Sequence, residues 1–131
     1  MQDDTPVEIV FLDRETLSPE TRLREPAFPH RLTVFERSAA DEVAGRIRDA
    51  EIVITNKVPV RAEAIAAAPH LRMIAVCATG TDMVDVKAAR ERGIVVSNVR
   101  NYATTTVPEH VFALIFALRR SLLAYRDSVR S

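Results

Sequence analysis

The residues best suited to chemistry are grouped in the stretch from Leu71 to Asp85, LRMIAVCATGTDMVD. An apolar run without charges ends in the loop Ala78 to Thr81, and a helical pattern begins at Asp82. Small side chains let a ligand approach the backbone, and amides near a helix start favour an anion such as a carboxylate. The sequence therefore indicates an anion-binding loop here, with a plain turn as the alternative.

Asp82 and Asp85 are the two acidic residues of this stretch, and they could act as a general acid and base. Their spacing is explained more simply by helix capping. Asp82 would be the N-cap, and Asp85 would lie in the first turn, where a carboxylate interacts favourably with backbone amides and the helix dipole. We interpret both as capping residues.

Other kinds of site lack the residues they need. The glycines are Gly45, Gly80 and Gly93, so neither a G-x-G-x-x-G dinucleotide fingerprint nor a phosphate-binding loop can be formed. The histidines are His30, His70 and His110, and no pair has metal-ligand spacing, so no metal site is predicted. No G-x-S-x-G element is present either, which gives a hydrolase triad no support.

Length and composition are typical of one small globular domain. The 131 residues include 18 basic and 18 acidic side chains, so no net field favours nucleic acid, and no apolar run is long enough to cross a membrane. The only cysteine, Cys77, lies in an apolar run and is expected to be a buried structural thiol. The acidic N-terminus does not resemble a signal peptide, and we expect a cytoplasmic location.

Five apolar runs alternate with helical patterns, and this order must position the loop. The predicted strands are Val7 to Leu12, Arg31 to Glu36, Glu51 to Thr55, Met73 to Thr79 and Ile94 to Ser97. The predicted helices are one from a Ser38-Asp41 capping box through Asp49, one at Arg61 to Ala68, and one at Asp82 to Arg92 with Gly93 at its end. The stretch from Arg14 to Arg31 is expected to be mostly loop, with a short helix at Ser18-Pro19 as the alternative. This alternation predicts the α/β class, with a flavodoxin-like five-stranded parallel sheet flanked by helices.

A last helix is expected to begin with the capping-box pattern Thr106-Val107-Pro108-Glu109. The segment from Val111 to Leu118 is apolar around the whole circumference of that helix. One sheet cannot cover such a helix, so it belongs either to a larger assembly or to a connection with another domain.

Several of these segments together resemble the D-isomer-specific 2-hydroxyacid dehydrogenases. The loop Gly80 to Asp85, GTDMVD, is similar to the G-x-D-x-V-D loop of that family. Further matches follow in order and spacing over residues 51 to 120: Ala88-Ala89, Arg92-Gly93-Ile94, Asn98 and Thr106-Val107-Pro108-Glu109. Residues 96 to 114, with Val99 and Tyr102, further resemble glycerate dehydrogenases, also called hydroxypyruvate reductases.

The resemblance implies an NAD(P)-dependent enzyme of two domains that acts on a small 2-oxo or 2-hydroxy acid. Residues 1–105 would be the N-terminal part of its substrate-binding (catalytic) domain, and residues 106–128 would link it to a dinucleotide-binding domain absent from this chain. In the family, the loop matching Thr79-Gly80 binds the substrate carboxylate, and Thr79 also lies near the nicotinamide. Asn56-Lys57 would face the same cleft, and Val107 would lie near the cofactor.

The resemblance also implies that no catalytic residue lies in this chain. The arginine, histidine and carboxylate used by the family belong to the later part of the sequence, and His110 has no claim to that role. We therefore expect the chain alone to be inactive and the intact enzyme to be a homodimer. The alternative is a stand-alone flavodoxin-like regulatory or interaction module. A phosphoacceptor receiver would need an aspartate where Thr55-Asn56-Lys57 stands.

Overall fold

The computed structural model describes residues 5–130 of the chain. The strands are β1 (Val7–Phe11), β2 (His30–Val34), β3 (Ile52–Thr55), β4 (Met73–Val76) and β5 (Val95–Ser97). They pair in parallel in the order β2-β1-β3-β4-β5, which is the flavodoxin-like order. The predicted α/β class and five-stranded parallel sheet are thereby confirmed.

The hydrophobic core lies between the sheet and three short helices. These helices are α1 (Val43–Arg46), α2 (Ala62–Ala67) and α3 (Val86–Glu91). Because successive side chains of a strand point to opposite faces, one face carries Val10, Val53 and Ile74. These side chains form one buried cluster with Ile47 and Ile65 from the helical layer. Burying each such side chain stabilises the fold by about 1.5–3 kcal/mol.

Helix α3 ends at Glu91, and Gly93 follows its C-cap Arg92, at the far end of the helix as the sequence predicted. Gly93 has a φ of 70°, a left-handed conformation that costs glycine no steric strain. Its N–H donates to the Arg90 carbonyl at 3.0 Å, and the next N–H, of Ile94, donates to Ala89 at 2.9 Å. The carbonyls at the end of the helix are thus satisfied as β5 begins.

The helix start predicted at Ser38 is wrong. The helix expected from Ser38 through Asp49 is reduced to α1, because the Ser38 hydroxyl donates to the Leu12 carbonyl at 2.6 Å instead of capping. The carboxylate that accepts a nearby backbone amide is that of Glu42, not Asp41.

The stretch from Leu17 to Pro29 is loop, as predicted, and the alternative short helix at Ser18-Pro19 does not form; a single 3-10 turn, Arg14–Thr16, lies upstream of it. The Arg14 guanidinium donates to the carbonyls of Leu17, Ser18 and Thr21, the last at 2.8 Å. These bonds stabilise a non-helical course of the chain after the turn.

The chain divides into two compact units, with the boundary between Val99 and Arg100. The second unit holds α4 (Thr106–Arg119) and α5 (Leu122–Arg130). The capping box predicted at Thr106 is wrong, because the N-cap is Thr105 and no side chain caps the helix. Between the two helices, Ser121 has a φ of 49°. The apolar side chains of α4 are exposed, including the stacked rings of Phe112 and Phe116.

Within residues 5–130, no helix combines the length and apolar character that crossing a membrane requires.

Candidate functional site

The loops that follow β1, β3 and β4 lie together at the carboxyl edge of the sheet. β1 is paired with β3, and β3 is paired with β4, so Asp13, Asn56 and Cys77 follow neighbouring strands. The order of the strands reverses between β1 and β3, because β2 lies on the other side of β1. In open α/β sheets, ligands bind outside the carboxyl ends of strands at such a switch point.

Asp13 holds the loop after β3 in place. Its carboxylate is only 2% exposed and accepts hydrogen bonds from three consecutive backbone amides. The N–H of Asn56 lies 2.9 Å from Oδ1, and the N–H groups of Lys57 and Val58 lie 2.6 and 2.9 Å from Oδ2. Thr55 closes the same turn with a bond from Oγ1 to the Val58 carbonyl at 2.8 Å. These amides are therefore occupied by the protein's own carboxylate.

Of the predicted pair Asn56 and Lys57, only the Lys57 side chain is available to a ligand. Asn56 is buried, and its Nδ2 donates to the Thr16 hydroxyl at 3.0 Å. Lys57 is exposed and forms no ion pair with any residue of the described chain. The ammonium group of Lys57 is thus an unneutralised positive charge at this edge.

The loop after β4 carries Thr79 and Gly80, the residues predicted to bind the carboxylate. Asn98, which follows β5, donates from Nδ2 to the Thr79 carbonyl at 2.7 Å, and the N–H of Val99 donates to the Ala78 carbonyl at 3.0 Å. Thr79 and Gly80 are both exposed. Their own N–H groups make no hydrogen bond within residues 5–130, so this edge presents unoccupied backbone donors.

The predicted roles of Asp82 and Asp85 need correction, because the N-cap of α3 is Asp85. Its Oδ1 accepts the N–H of Ala88 at 2.9 Å. The helix cannot begin at Asp82, because Val84 forms a parallel bridge with Val60 and is held in extended backbone. The exposed Asp82 carboxylate instead lies beside Gly80, where its Oδ1 is 2.7 Å from the position a Cβ would take.

Cys77 directly follows β4, and its N–H donates to the Thr55 carbonyl at the end of β3 at 2.8 Å. Its side chain is partly buried, and this burial raises the pKa of the thiol, with a smaller contribution from the negative charge of Asp13. A raised pKa keeps the thiol protonated near neutral pH and therefore weakly nucleophilic. Cys77 thus has the properties expected of a structural thiol.

Val107, predicted to lie near the cofactor, belongs to the first turn of α4 in the second unit, with 57% of its surface exposed. In the described part of the chain, no group of three or more metal-ligating side chains converges.

An apolar groove of about 590 Å³ lies at the other, amino-terminal edge of the sheet. Val7, Ile52, Met73 and Val95 form its floor. The guanidinium of Arg92, which also lines it, donates to the carbonyls of residues 65, 68 and 69 and so is not free to orient a ligand. The other charged lining residues, Glu51 and Arg72, form an ion pair with each other at 3.3 Å, so the charged groups of this groove are already partnered.

The hydrogen bonds by which Asp13 holds the loop after β3 were not predicted from the sequence. An acidic residue directly after a buried strand was a visible signal, because the ends of neighbouring parallel strands share one edge. The amides that Asp13 would reach could not be read from the sequence, since they depend on β1 and β3 being neighbours.

The fold and these loops define a flavodoxin-like α/β domain whose switch point presents unoccupied backbone donors. The chain belongs to the D-isomer specific 2-hydroxyacid dehydrogenase family, whose catalytic-domain model matches residues 9–129. It is 50% identical over 123 residues to a glycerate dehydrogenase of Methylorubrum extorquens, a match that covers 93% of this chain and 38% of that protein.

Solved structures are similar in the same region. A 2-hydroxyacid dehydrogenase of Ketogulonicigenium vulgare is 26% identical with a TM-score of 0.71, covering 97% of this chain and 40% of that one. A D-lactate dehydrogenase of Aquifex aeolicus, complexed with NAD and lactic acid, is 20% identical with a TM-score of 0.61, covering 93% and 37%. The chain thus spans about two fifths of the length of these proteins. None of these matches supports a stand-alone regulatory module.

Proposed function

We propose that this chain is the N-terminal substrate-binding part of an NAD(P)-dependent D-2-hydroxyacid dehydrogenase. The intact enzyme would reduce hydroxypyruvate to D-glycerate and glyoxylate to glycolate. The observation that carries this proposal is the pair of exposed, unoccupied amides at Thr79 and Gly80, on the carboxyl edge of a sheet that belongs to this family. The similarity to a glycerate dehydrogenase supports the choice of substrate.

The carboxylate of the 2-oxo acid would accept hydrogen bonds from the amides of Thr79 and Gly80. Hydrogen bonds from neutral donors to a charged group each contribute about 1.5–3 kcal/mol, so two of them can hold a small acid in one orientation. The Asn98 bond to the Thr79 carbonyl fixes the direction of the loop. The Lys57 ammonium, on the neighbouring loop, would balance the negative charge of the ligand.

We do not expect the dinucleotide to bind this chain alone. Gly45 lies inside α1 and Gly93 follows the end of α3, so neither offers a glycine-rich turn before a helix that could hold a pyrophosphate. We therefore assign to this chain only the surroundings of the nicotinamide, near Thr79 and Val107. The bound cofactor would supply the hydride, and a further dinucleotide-binding domain would hold it.

The proposed division is residues 1–105 for substrate binding and residues 106–128 for the link to that further domain. The exposed apolar side chains of α4 support a role in packing against another part of an intact protein. The intact enzyme would be a homodimer. No residue of this chain is assigned to proton transfer, and the cytoplasmic location remains a prediction.

A chimera tests the proposal. The chain would replace the matching segment of the Methylorubrum extorquens glycerate dehydrogenase, and oxidation of NADH and of NADPH would be followed with hydroxypyruvate and with glyoxylate. We expect the chimera to turn over and the 131-residue chain alone to be inactive. The natural enzyme is the positive control. Turnover by the chain alone would contradict the proposal, and so would a folded chimera that binds NADH and reduces no 2-oxo acid.

A further inference from the structure

The buried carboxylate of Asp13 has no place in the function proposed above, yet it is the most heavily hydrogen-bonded acidic side chain among residues 5–130. Both of its oxygens point at one loop, and all three amides come from Asn56, Lys57 and Val58. Three consecutive N–H groups directed at one anion restrict the backbone of each of these residues. Asp13 therefore fixes the direction in which the Lys57 side chain leaves the loop.

A second tie joins the same two segments. The Thr16 hydroxyl donates to the Asp13 carbonyl at 2.7 Å and accepts from Asn56 Nδ2 at 3.0 Å. Asn56 Nδ2 also donates to the Thr16 carbonyl at 3.4 Å, so the turn after β1 holds the loop after β3 through both the main chain and the side chain of Thr16. Lys57, the exposed residue between two buried ones, is consequently the part of the loop that faces solvent.

The charges around the Thr79-Gly80 loop explain why the position of the Lys57 ammonium would matter to a bound anion. The exposed carboxylate of Asp82 lies beside Gly80 and opposes the approach of another anion. The Arg61 guanidinium is held against the main chain of this loop, where it donates to the Asp82 carbonyl at 2.9 Å, and the Arg14 guanidinium donates to carbonyls of its own turn after β1. Lys57 is the cation of the adjoining loop without such a partner in the described chain.

We propose that Asp13 is a positioning residue that acts through Lys57, holding its ammonium at the carboxyl edge to balance the charge of a 2-oxo acid bound at Thr79-Gly80. The inference rests on the proposed function and deepens it. Because Asp13 occupies the amides of residues 56–58, the Lys57 side chain is the group of this loop that would contact the substrate. A neutral residue at position 13 would no longer offer the amides of residues 56–58 a charged acceptor, so the loop that carries Lys57 would not be held in one orientation.

The test is a titration of the 131-residue chain with glyoxylate, followed by the amide signals of Thr79 and Gly80. The variants are Asp13→Asn, Lys57→Gln and the double variant. We expect each single variant to weaken the affinity about fivefold, as for one partly exposed charge contact. The double variant should be no weaker than Lys57→Gln, because Asp13 acts only through Lys57. Hydrogen exchange at residues 56–58 should become faster in Asp13→Asn.

Asp85→Asn is the matched control, because Asp85 also accepts a backbone amide but caps α3 instead of holding the loop. It should leave the glyoxylate affinity unchanged. If Asp13→Asn does not fold, Thr16→Val loosens the second tie and should weaken binding without adding to Lys57→Gln. Unchanged affinity in Asp13→Asn, or additive losses in the double variant, would overturn the positioning role. Absence of glyoxylate binding by the unaltered chain would instead contradict the proposed function.

Discussion

Gly80→Ala separates the binding role of the loop from its contribution to the fold. The new Cβ would lie 2.7 Å from Asp82 Oδ1, which is closer than a carbon and an oxygen can approach. The Asp82 side chain is exposed and can rotate away, at a cost of about 0.5–1.5 kcal/mol. Gly80 does not have a positive φ, so alanine also restricts the unfolded chain and stabilises the fold by about 0.4–1 kcal/mol. The two effects nearly cancel.

We therefore expect the unfolding free energy of Gly80→Ala to stay within about 1 kcal/mol of that of the unaltered chain. Ligand binding should suffer more, because the methyl group narrows the approach to the Thr79 and Gly80 amides. Loss of one charge-assisted hydrogen bond corresponds to about 1.5–3 kcal/mol, a weakening of glyoxylate affinity by roughly tenfold to a hundredfold.

Chemical denaturation and an amide titration with glyoxylate measure the two quantities on one sample. Asp82→Ala is the background that removes the clash, and Gly80→Ala should still weaken binding there. Unchanged glyoxylate affinity in Gly80→Ala would rule out binding at the Thr79 and Gly80 amides, because the loop would then tolerate a side chain where the ligand is expected. A loss of binding accompanied by a large loss of unfolding free energy would show that Gly80 is needed for the fold, and would contradict the separate binding role.

Three further predictions concern the rest of the chain. Gly93→Ala forces alanine into a φ of 70° and should cost about 1–2 kcal/mol, measured as a lower midpoint in calorimetry, with Gly93→Asn losing less. Burial, and secondly the charge of Asp13, raise the pKa of the Cys77 thiol, so this thiol should react with a disulfide reagent more slowly in the folded chain than in the denatured chain. Asp13→Asn should speed the reaction of the folded chain. Equal rates in the folded and denatured chains would contradict this prediction. The exposed apolar side chains of α4 should make the chain self-associate in sedimentation experiments, and Phe116→Glu should reduce the association.

The sheet could be predicted from the sequence because each strand carries its own signal. Short apolar runs rich in β-branched residues, such as those around Val53 and Val95, are separated by turn residues and helical patterns. Their alternation leaves few topologies, and the parallel flavodoxin-like order is among them. Gly93 was predictable for a similar reason, since a glycine that ends a helical pattern before a strand is a local signal.

The helix starts and half of the site could not be predicted because they depend on contacts between distant residues. Asp82 and Asp85 are both plausible caps in the sequence, and only the bridge from Val84 to Val60 decides between them. The spacing of Ser38 suggests a cap, but its hydroxyl has a partner at Leu12. Likewise, Asn56 and Lys57 look equivalent until Asn56 is found bonded to Thr16.

A titration of the unaltered chain with glyoxylate would show whether the Thr79-Gly80 loop binds the carboxylate of a 2-oxo acid. Amide spectra would be recorded across the titration, with glycolamide as a neutral control of similar size. We expect saturable shifts that are largest at Thr79 and Gly80, smaller shifts around Lys57, and none with the control. Shifts centred on the groove at the amino-terminal edge, around Met73 and Val95, or no saturable shift at Thr79 and Gly80, would contradict it.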